Sequence, residues 1–293
     1  MRGGRAVPYA FLAPAYIVFA LVVLYPIGRA LQISLYDFKI VAGVPSPFVG
    51  LANYRRAVHD PVFWRSLANS AFYMAISVPL QVVLGLGAAV LLNSRVRGRG
   101  LFRVLFYLPV VTSWVVVSLL FQYLFTTDGG LFNWMLHDAT GVTSHNVAWL
   151  SHRWTAMVAI AALGVWKGIG WSMIIFLAAL QGVPEDLLEA AALDGAGAWR
   201  RFRHVALPAI RRTTTFIVVM LVIGGFNVFV SVFLMTGGGP ASSTEVPLTY
   251  MYRQAFSFLD FGYGSALSFL LTAVVLMLSV VQLRFFRPDR GAR

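Results

Sequence analysis

Cysteine is absent, which removes disulfides and thiolate metal centres from consideration. Charge is scarce. Asp, Glu, Lys and Arg make up 12% of the 293 residues, against about 25% in an ordinary soluble domain. The 11 acidic residues stay out of the long apolar runs. Five His, at 59, 137, 145, 152 and 204, lack the spacings that bring imidazoles onto one metal. No Gly-x-x-x-x-Gly-Lys-Ser/Thr phosphate loop occurs, so nucleotide hydrolysis belongs to a partner wherever the function needs it.

Hydrocarbon fills the chain instead: 59% of residues are hydrophobic and the mean hydropathy is +0.76. A bilayer core of ~30 Å needs about 20 apolar residues per helix. Six stretches reach that length: Tyr9–Ala30, Asn69–Asn93, Leu101–Phe125, Thr155–Leu180, Pro208–Met235 and Tyr263–Phe285. Helices are expected, because unpaired backbone is costly in lipid and barrel strands need only ~9–11 alternating residues. The opening Met1-Arg-Gly-Gly-Arg5 and the apolar run behind it superficially resemble a signal peptide. That run continues to about Ile27 without a small-residue cleavage pattern, so it reads as an uncleaved first span.

The net charge of +12 is carried by Arg beside the apolar runs, a pattern of membrane orientation rather than of nucleic-acid binding. One side collects Arg2, Arg5, Arg95, Arg97, Arg99, Arg103, Arg200, Arg201, Arg203, Arg211, Arg212, Arg284, Arg287, Arg290 and Arg293. The other holds Arg29, Lys39, Arg55, Arg56, Arg65, Arg153 and Arg253. The imbalance puts both termini in the cytoplasm of a multi-pass cell-membrane protein, consistent with an even number of spans. The expected fold is all-α, with six transmembrane helices and a cytoplasmic helix–turn–helix between spans four and five. Asp128-Gly-Gly and Gly237-Gly-Gly-Pro240 are turn signals. The organisation expected is an N-terminal span and outer loop (1–68), a five-span core (69–285) and a cytoplasmic tail (286–293).

The connection after span four is polar and rich in Ala and Arg. Pro184 suits a first helical turn, and Glu185, Asp186 and Glu189 suit a helix N-terminal end. Ala190, Ala191 and Ala192 are strong helix formers. Gly195 and Gly197 permit a break, after which Trp199-Arg-Arg-Phe-Arg starts a basic second helix that ends or kinks at Pro208. Ion pairs from Glu189 and Asp194 to Arg200, Arg201 or Arg203 are expected to fix the angle between the halves. On composition alone, a solvated interfacial hairpin accounts for the same segment.

The order of residues goes further. Glu189-Ala190-Ala191, Asp194-Gly195-Ala196 and Leu207-Pro208 resemble the coupling loop of binding-protein-dependent ABC-importer permeases, specifically their carbohydrate-uptake branch. Phe48-Val-Gly-Leu-Ala-Asn53-Tyr54, Phe106-Tyr-Leu-Pro109, Phe176 to Pro184, Thr236 to Pro240 and Asp260-Phe-Gly-Tyr-Gly-Ser-Ala266 extend the resemblance over almost the whole chain. It implies a second, homologous permease subunit, two cytoplasmic ATPase subunits that bind ATP and Mg, and an external solute-binding protein. It implies that the coupling loop, about 185–207, sits in a cleft of the ATPase. This chain is then expected to hold no cofactor or metal and to be no enzyme. The implied cargo is a sugar, with glycerol phosphate the nearest alternative in the branch.

Lys167, within span four, is the one charged residue in the apolar runs away from their ends. At bilayer depth it faces a polar cavity or a partner, and near an interface it snorkels. Gly164, Gly168 and Trp171 follow i, i+4, i+7, and Lys167 joins that face. An aromatic face beside hydrogen-bonding groups suits a sugar ring. The resemblance implies that this face lines the solute path, with Leu221, Gly224, Gly225 and Val228 of span five opposite. Those span-five residues are apolar where the maltose-type subunit is polar, which shifts binding towards the second permease. Gly224-Gly225 also reads as close helix packing, and Asn227 as a helix–helix hydrogen bond. A secondary transporter would show intramembrane carboxylates and a repeated half, and a membrane enzyme would show a catalytic cluster. Neither pattern occurs.

Overall fold

The computed structural model describes residues 7–41, 43–94 and 97–285. Among them the regular structure is helical, apart from one antiparallel bridge between Tyr36 and Phe48. The tail 286–293 and Arg2, Arg5 and Arg95 of the orientation argument lie outside the described residues. Apart from short helical turns at residues 131–139 and Trp149–Ser151, the helices in chain order are α1 (residues 7–34), α2 (Ala52–His59), α3 (Pro61–Asn93), α4 (Arg99–Val111) and α5 (Trp114–Leu124). They continue with α6 (Arg153–Gln181), α7 (Glu185–Leu193), α8 (Ala198–Ala209), α9 (Arg211–Phe226), α10 (Val230–Met235), α11 (residues 247–257) and α12 (Phe261–Phe285).

Four helices are long and apolar enough to cross a membrane: Phe11–Ser34 of α1, α3, α6 and α12. The bent pairs α4–α5 and α8–α9 raise the number to six when each counts as one span. This is the all-α multi-pass fold expected from the apolar runs. Two expected spans are not continuous helices, however. Span three turns through 95° between Val111 and Trp114, where Thr112 and Ser113 are extended. Pro109 in the last turn of α4 lacks an amide proton, and the carbonyls freed at the break find a donor elsewhere, described below. Span five stops at Phe226 and resumes at Val230, with Phe229 outside helical geometry.

Two compact units emerge from the packing. In the larger, residues 65–249 and 275–293, α6 is the central helix, packed on α4, α5, α9 and α10. Ala156, Ala159, Ile160, Ala161 and Leu163 are fully buried along it. Small side chains on this helix let its neighbours close in, and dispersion replaces the hydrophobic drive that lipid cannot supply. One apolar cluster joins Phe121, Phe125, Met157, Ile160 and Val232. A second joins Met173, Phe176, Leu180, Ile210 and Ile217.

In the smaller unit, residues 1–64 and 250–274, the Phe48-to-Tyr54 motif folds back on the end of α1. Asn53 Nδ2 donates to the carbonyls of Ser34 (2.9 Å) and Tyr36 (3.1 Å), and the Tyr54 hydroxyl meets Ser34 Oγ at 2.7 Å. Gly50 supplies the φ of +57° that turns the chain between them. Asp60 accepts hydrogen bonds from the hydroxyls of Tyr250 and Tyr263 and, at 2.8 Å, from the Val62 amide. Burial opposes ionisation of Asp60, but these donors outweigh it and hold the carboxyl below its ordinary value. Burial and the Asp60 carboxylate push the Tyr250 phenol up to about 12.

Candidate functional site: a central cavity and an exposed helical hairpin

Beside α6, in the larger unit, lies a cavity of about 550 Å³. Gly164, Lys167, Gly168 and Trp171 of α6 line one side, and Leu221, Gly224, Gly225 and Val228 of the α9 region line another. All eight pathway residues named from the sequence therefore meet around one space. On α6 this follows from helical spacing, since positions three, four and seven apart share a face.

Lys167 is only 4% exposed. Its ammonium donates to the carbonyl oxygens of Pro109 (2.7 Å), Val110 (3.2 Å) and Thr112 (2.6 Å). The same group lies 5.0 Å from the centre of the Trp114 ring. It neither snorkels nor stands free in the cavity: it caps the C-terminal end of α4. Carbonyls at a helix C-terminus carry partial negative charge and lack partners within the helix. A charge-assisted hydrogen bond to such a group is worth roughly 1.5–3 kcal/mol. The sequence exposed Lys167 as anomalous but could not name the carbonyls 55–58 residues away.

The glycines divide by role. A Cβ on Gly164 would run into the Tyr73 hydroxyl, one on Gly168 into the Gln81 carboxamide, and one on Gly225 into Met74. These three glycines let α3 lie close against α6 and α9. Gly224 has nothing within 4 Å of such a Cβ and faces open space. The packing expected of Gly224-Gly225 thus belongs to Gly225 alone. Asn227 is corrected too: its Nδ2 donates to the Ile223 carbonyl (2.9 Å), one turn back in its own helix, rather than across helices.

A third wall of the cavity went unread in the sequence. Tyr73, Ser77 and Gln81 of α3 line it, spaced four residues apart so that they form one stripe. The signal was available as hydrogen-bonding side chains recurring every turn through an apolar span. Among the described lining residues Lys167 alone carries charge. No group of three or more His, Cys, Asp or Glu able to hold a metal occurs among the described residues.

The helical hairpin α7–α8 follows α6 directly. Pro184 precedes the helix as its N-cap, not within the first turn, and Glu185 and Asp186 occupy that turn. Gly195 takes φ +79°, and the Ala196 amide closes the turn on the Ala191 carbonyl at 2.9 Å. This left-handed cap is the usual role of glycine at a helix C-terminus. In α8 a wider π turn over Phe202–Ala206 precedes Pro208, relieving the clash a proline ring makes with the preceding turn. The chain then bends by 66° at Ile210, two residues beyond Pro208.

The expected ion pairs are absent: neither Glu189 nor Asp194 pairs with Arg200, Arg201 or Arg203. Exposed charges gain little from pairing in water. Apolar packing holds the hairpin instead. Leu188, Phe202 and Leu207 sit against the same cluster that Trp171 and Leu221 of the cavity wall touch. Glu189, Ala190, Asp194, Gly195 and Pro208 are exposed, Ala191, Ala196 and Leu207 half-buried. Leu193 at 90% and Trp199 at 67% exposure leave apolar surface at the tip.

The family model for the binding-protein-dependent transport system inner membrane component matches residues 81–287. The chain is 36% identical over 288 residues to the probable ABC transporter permease protein YurN of Bacillus subtilis (strain 168), covering 98% of each. It is 35% identical over 278 residues to the lactose transport system permease protein LacF of Rhizobium radiobacter, covering 94% of this chain and 92% of that one. In fold it is similar to a chain of a bacterial ABC transporter involved in the import of the acidic polysaccharide alginate. That match has a TM-score of 0.83 at 22% identity, over 97% of this chain and 96% of the other.

The chain is a multi-pass helical membrane protein with a cavity beside the central helix of its larger unit. The chain belongs to the binding-protein-dependent transport system inner membrane component family, in its carbohydrate-uptake branch. It is a transport permease and not an enzyme.

Proposed function

We propose that this chain is one half of the translocation pathway of an ATP-driven importer of sugars, and that the α7–α8 hairpin docks on a cytoplasmic ATPase subunit. A second permease completes the pathway, two ATPases drive it, and an external solute-binding protein delivers cargo. ATP and Mg belong to the ATPases. Both termini lie in the cytoplasm, on the side of the hairpin.

One observation carries this reading: the hairpin and the cavity wall share one apolar cluster. Leu188, Phe202 and Leu207 on the hairpin, and Trp171 and Leu221 on the wall, pack on the same buried residues. Close-packed interiors transmit displacement rather than absorb it. A motor that grips the exposed tip around Leu193 and Trp199 therefore moves the walls with it. An importer of this kind is a two-state device, and ATP biases it by binding one state better. The resemblance of Glu189-Ala190-Ala191, Asp194-Gly195-Ala196 and Leu207-Pro208 to the family's coupling loop supports the same assignment. The sugar-transport name of the LacF relative supports the cargo class.

The native chain has no cysteine, so single cysteines at Leu193 and Trp199 give unambiguous crosslinks. Both are expected to capture an ATPase subunit in inside-out vesicles. Glu189→Lys and Gly195→Pro are expected to abolish solute uptake with the chain still inserted. Capture of no ATPase, or uptake that survives deletion of the ATPase gene, overturns the proposal.

A further inference from the structure

We infer that Gln81 is a residue through which this subunit hydrogen-bonds its solute, and that the solute held there is uncharged. The inference rests on the import reading above and concerns only what the cavity accepts.

Gln81 is 6% exposed and lines the cavity. Its carboxamide makes no side-chain hydrogen bond to another described residue and faces the cavity. A carboxamide offers two N–H donors and a carbonyl acceptor. Its polar atoms are not sealed off but open to the cavity, where they pair with whatever fills it, water or solute. A Cβ at Gly168 would collide with this same carboxamide, so the facing helix is hollowed at that point to admit it. An apolar side chain would have filled the gap without the desolvation cost.

The charge of the solute follows from Lys167. An ammonium has three donors, and three carbonyls, those of Pro109, Val110 and Thr112, take them. The only charged residue among the described lining residues thus has no donor left for a phosphate or carboxylate. An anion would leave water for a wall whose one cation already has its donors taken. A neutral, hydroxyl-rich ring fits better: its hydroxyls pair with Gln81, and its C–H faces lie on Trp171 and Trp114, which line the same space. This side of the cavity accordingly selects sugars over glycerol phosphate, and span two supplies a polar contact through Gln81.

The test uses the native host with its other importer components intact. Cells take up a mixture of maltose, lactose, raffinose, sn-glycerol 3-phosphate and digalacturonate, each followed by mass spectrometry. Deleting the chain is expected to remove uptake of at least one neutral sugar and of neither anion. Gln81→Met, similar in volume but without strong donors or acceptors, is expected to lower uptake of that sugar about fivefold or more, with the complex present in normal amount by pull-down. Gln81→Glu, the same shape with acceptors only, is expected to fall between. Should Gln81→Met fail to assemble, Gln81→Glu decides alone. Wild-type uptake in the assembled variants overturns the role of Gln81. Loss of an anion on deletion overturns the neutral site but leaves the import reading standing, whereas loss of no solute overturns the import reading itself.

Discussion

Lys167 Nζ lies 2.6 Å from the carbonyl oxygen of Thr112, at the point where α4 turns into α5. One side chain thereby joins the central helix to the sharpest bend in the larger unit. It also sets Trp114, the first residue after the bend, on the cavity wall. Lys167→Met leaves three carbonyls without their donor, and each such orphan costs about 1–3 kcal/mol. With partial relaxation a net loss of roughly 2–4 kcal/mol is expected. The thermal midpoint of the purified complex should fall, and protease cleavage near Thr112 and Ser113 should appear. An unchanged midpoint with no new cleavage would show that the bend holds without its cap.

Neighbouring glycines should respond oppositely to the same change. At Gly225 an added methyl meets Met74, whereas at Gly224 it meets nothing within 4 Å. Overpacking a filled site costs about 1–3 kcal/mol. Gly225→Ala should lower thermal stability and Gly224→Ala should not. Equal effects on fluorescence-detected melting would contradict the assigned packing.

The hairpin turn depends on Gly195 through its φ of +79°. A residue with a Cβ pays roughly 1–2 kcal/mol in that left-handed region. Gly195→Ala should loosen the turn closed by the Ala196 amide on the Ala191 carbonyl. Hydrogen exchange of the Ala196 amide should then quicken about tenfold, while exchange within α6 stays constant. An unaltered rate at Ala196 would refute this account of the turn.

Acid should act on the smaller unit through Asp60. Its carboxyl is held below the ordinary carboxylate value despite burial, because the Tyr250 and Tyr263 hydroxyls and the Val62 and Phe63 amides donate to it. A depressed value means that the stabilisation is present above the unfolded-state pKa, about 4, and is lost as pH falls through the lower folded-state value. Asp60→Asn should therefore melt below the native chain at pH 7, and the gap should narrow under acid conditions below about pH 4. A constant gap down to pH 3 would exclude linkage through this carboxyl.

Particular residues show how far the primary structure could be read. The apolar runs at Asn69–Asn93 and Thr155–Leu180 became α3 and α6 because lipid leaves a backbone of that length no other way to pair its amides. Gly195 signalled the hairpin turn, and it does carry the positive φ there. Gly164, Lys167, Gly168 and Trp171 were recognisable as one face because spacing along a helix is local information. Tyr73, Ser77 and Gln81 were legible by the same spacing as one polar face of an apolar span, whereas the glycine that stands opposite Gln81, Gly168, was not. The ion pairs expected across the hairpin failed for a related reason. Sequence proximity of Glu189 to Arg200 says nothing about the direction in which each side chain points.

Residue order alone sufficed for membrane residence, helical spans and the family to which the chain belongs, because each depends on hydrophobic length, local periodicity or a contiguous motif. Three-dimensional packing settled the rest: the bend at Thr112, the carbonyls that occupy Lys167, the contrast between Gly224 and Gly225, and the shared cluster of hairpin and wall. Those features arise from contacts between segments far apart along the chain. No local pattern encodes them, since which groups meet depends on how every helix packs against the others.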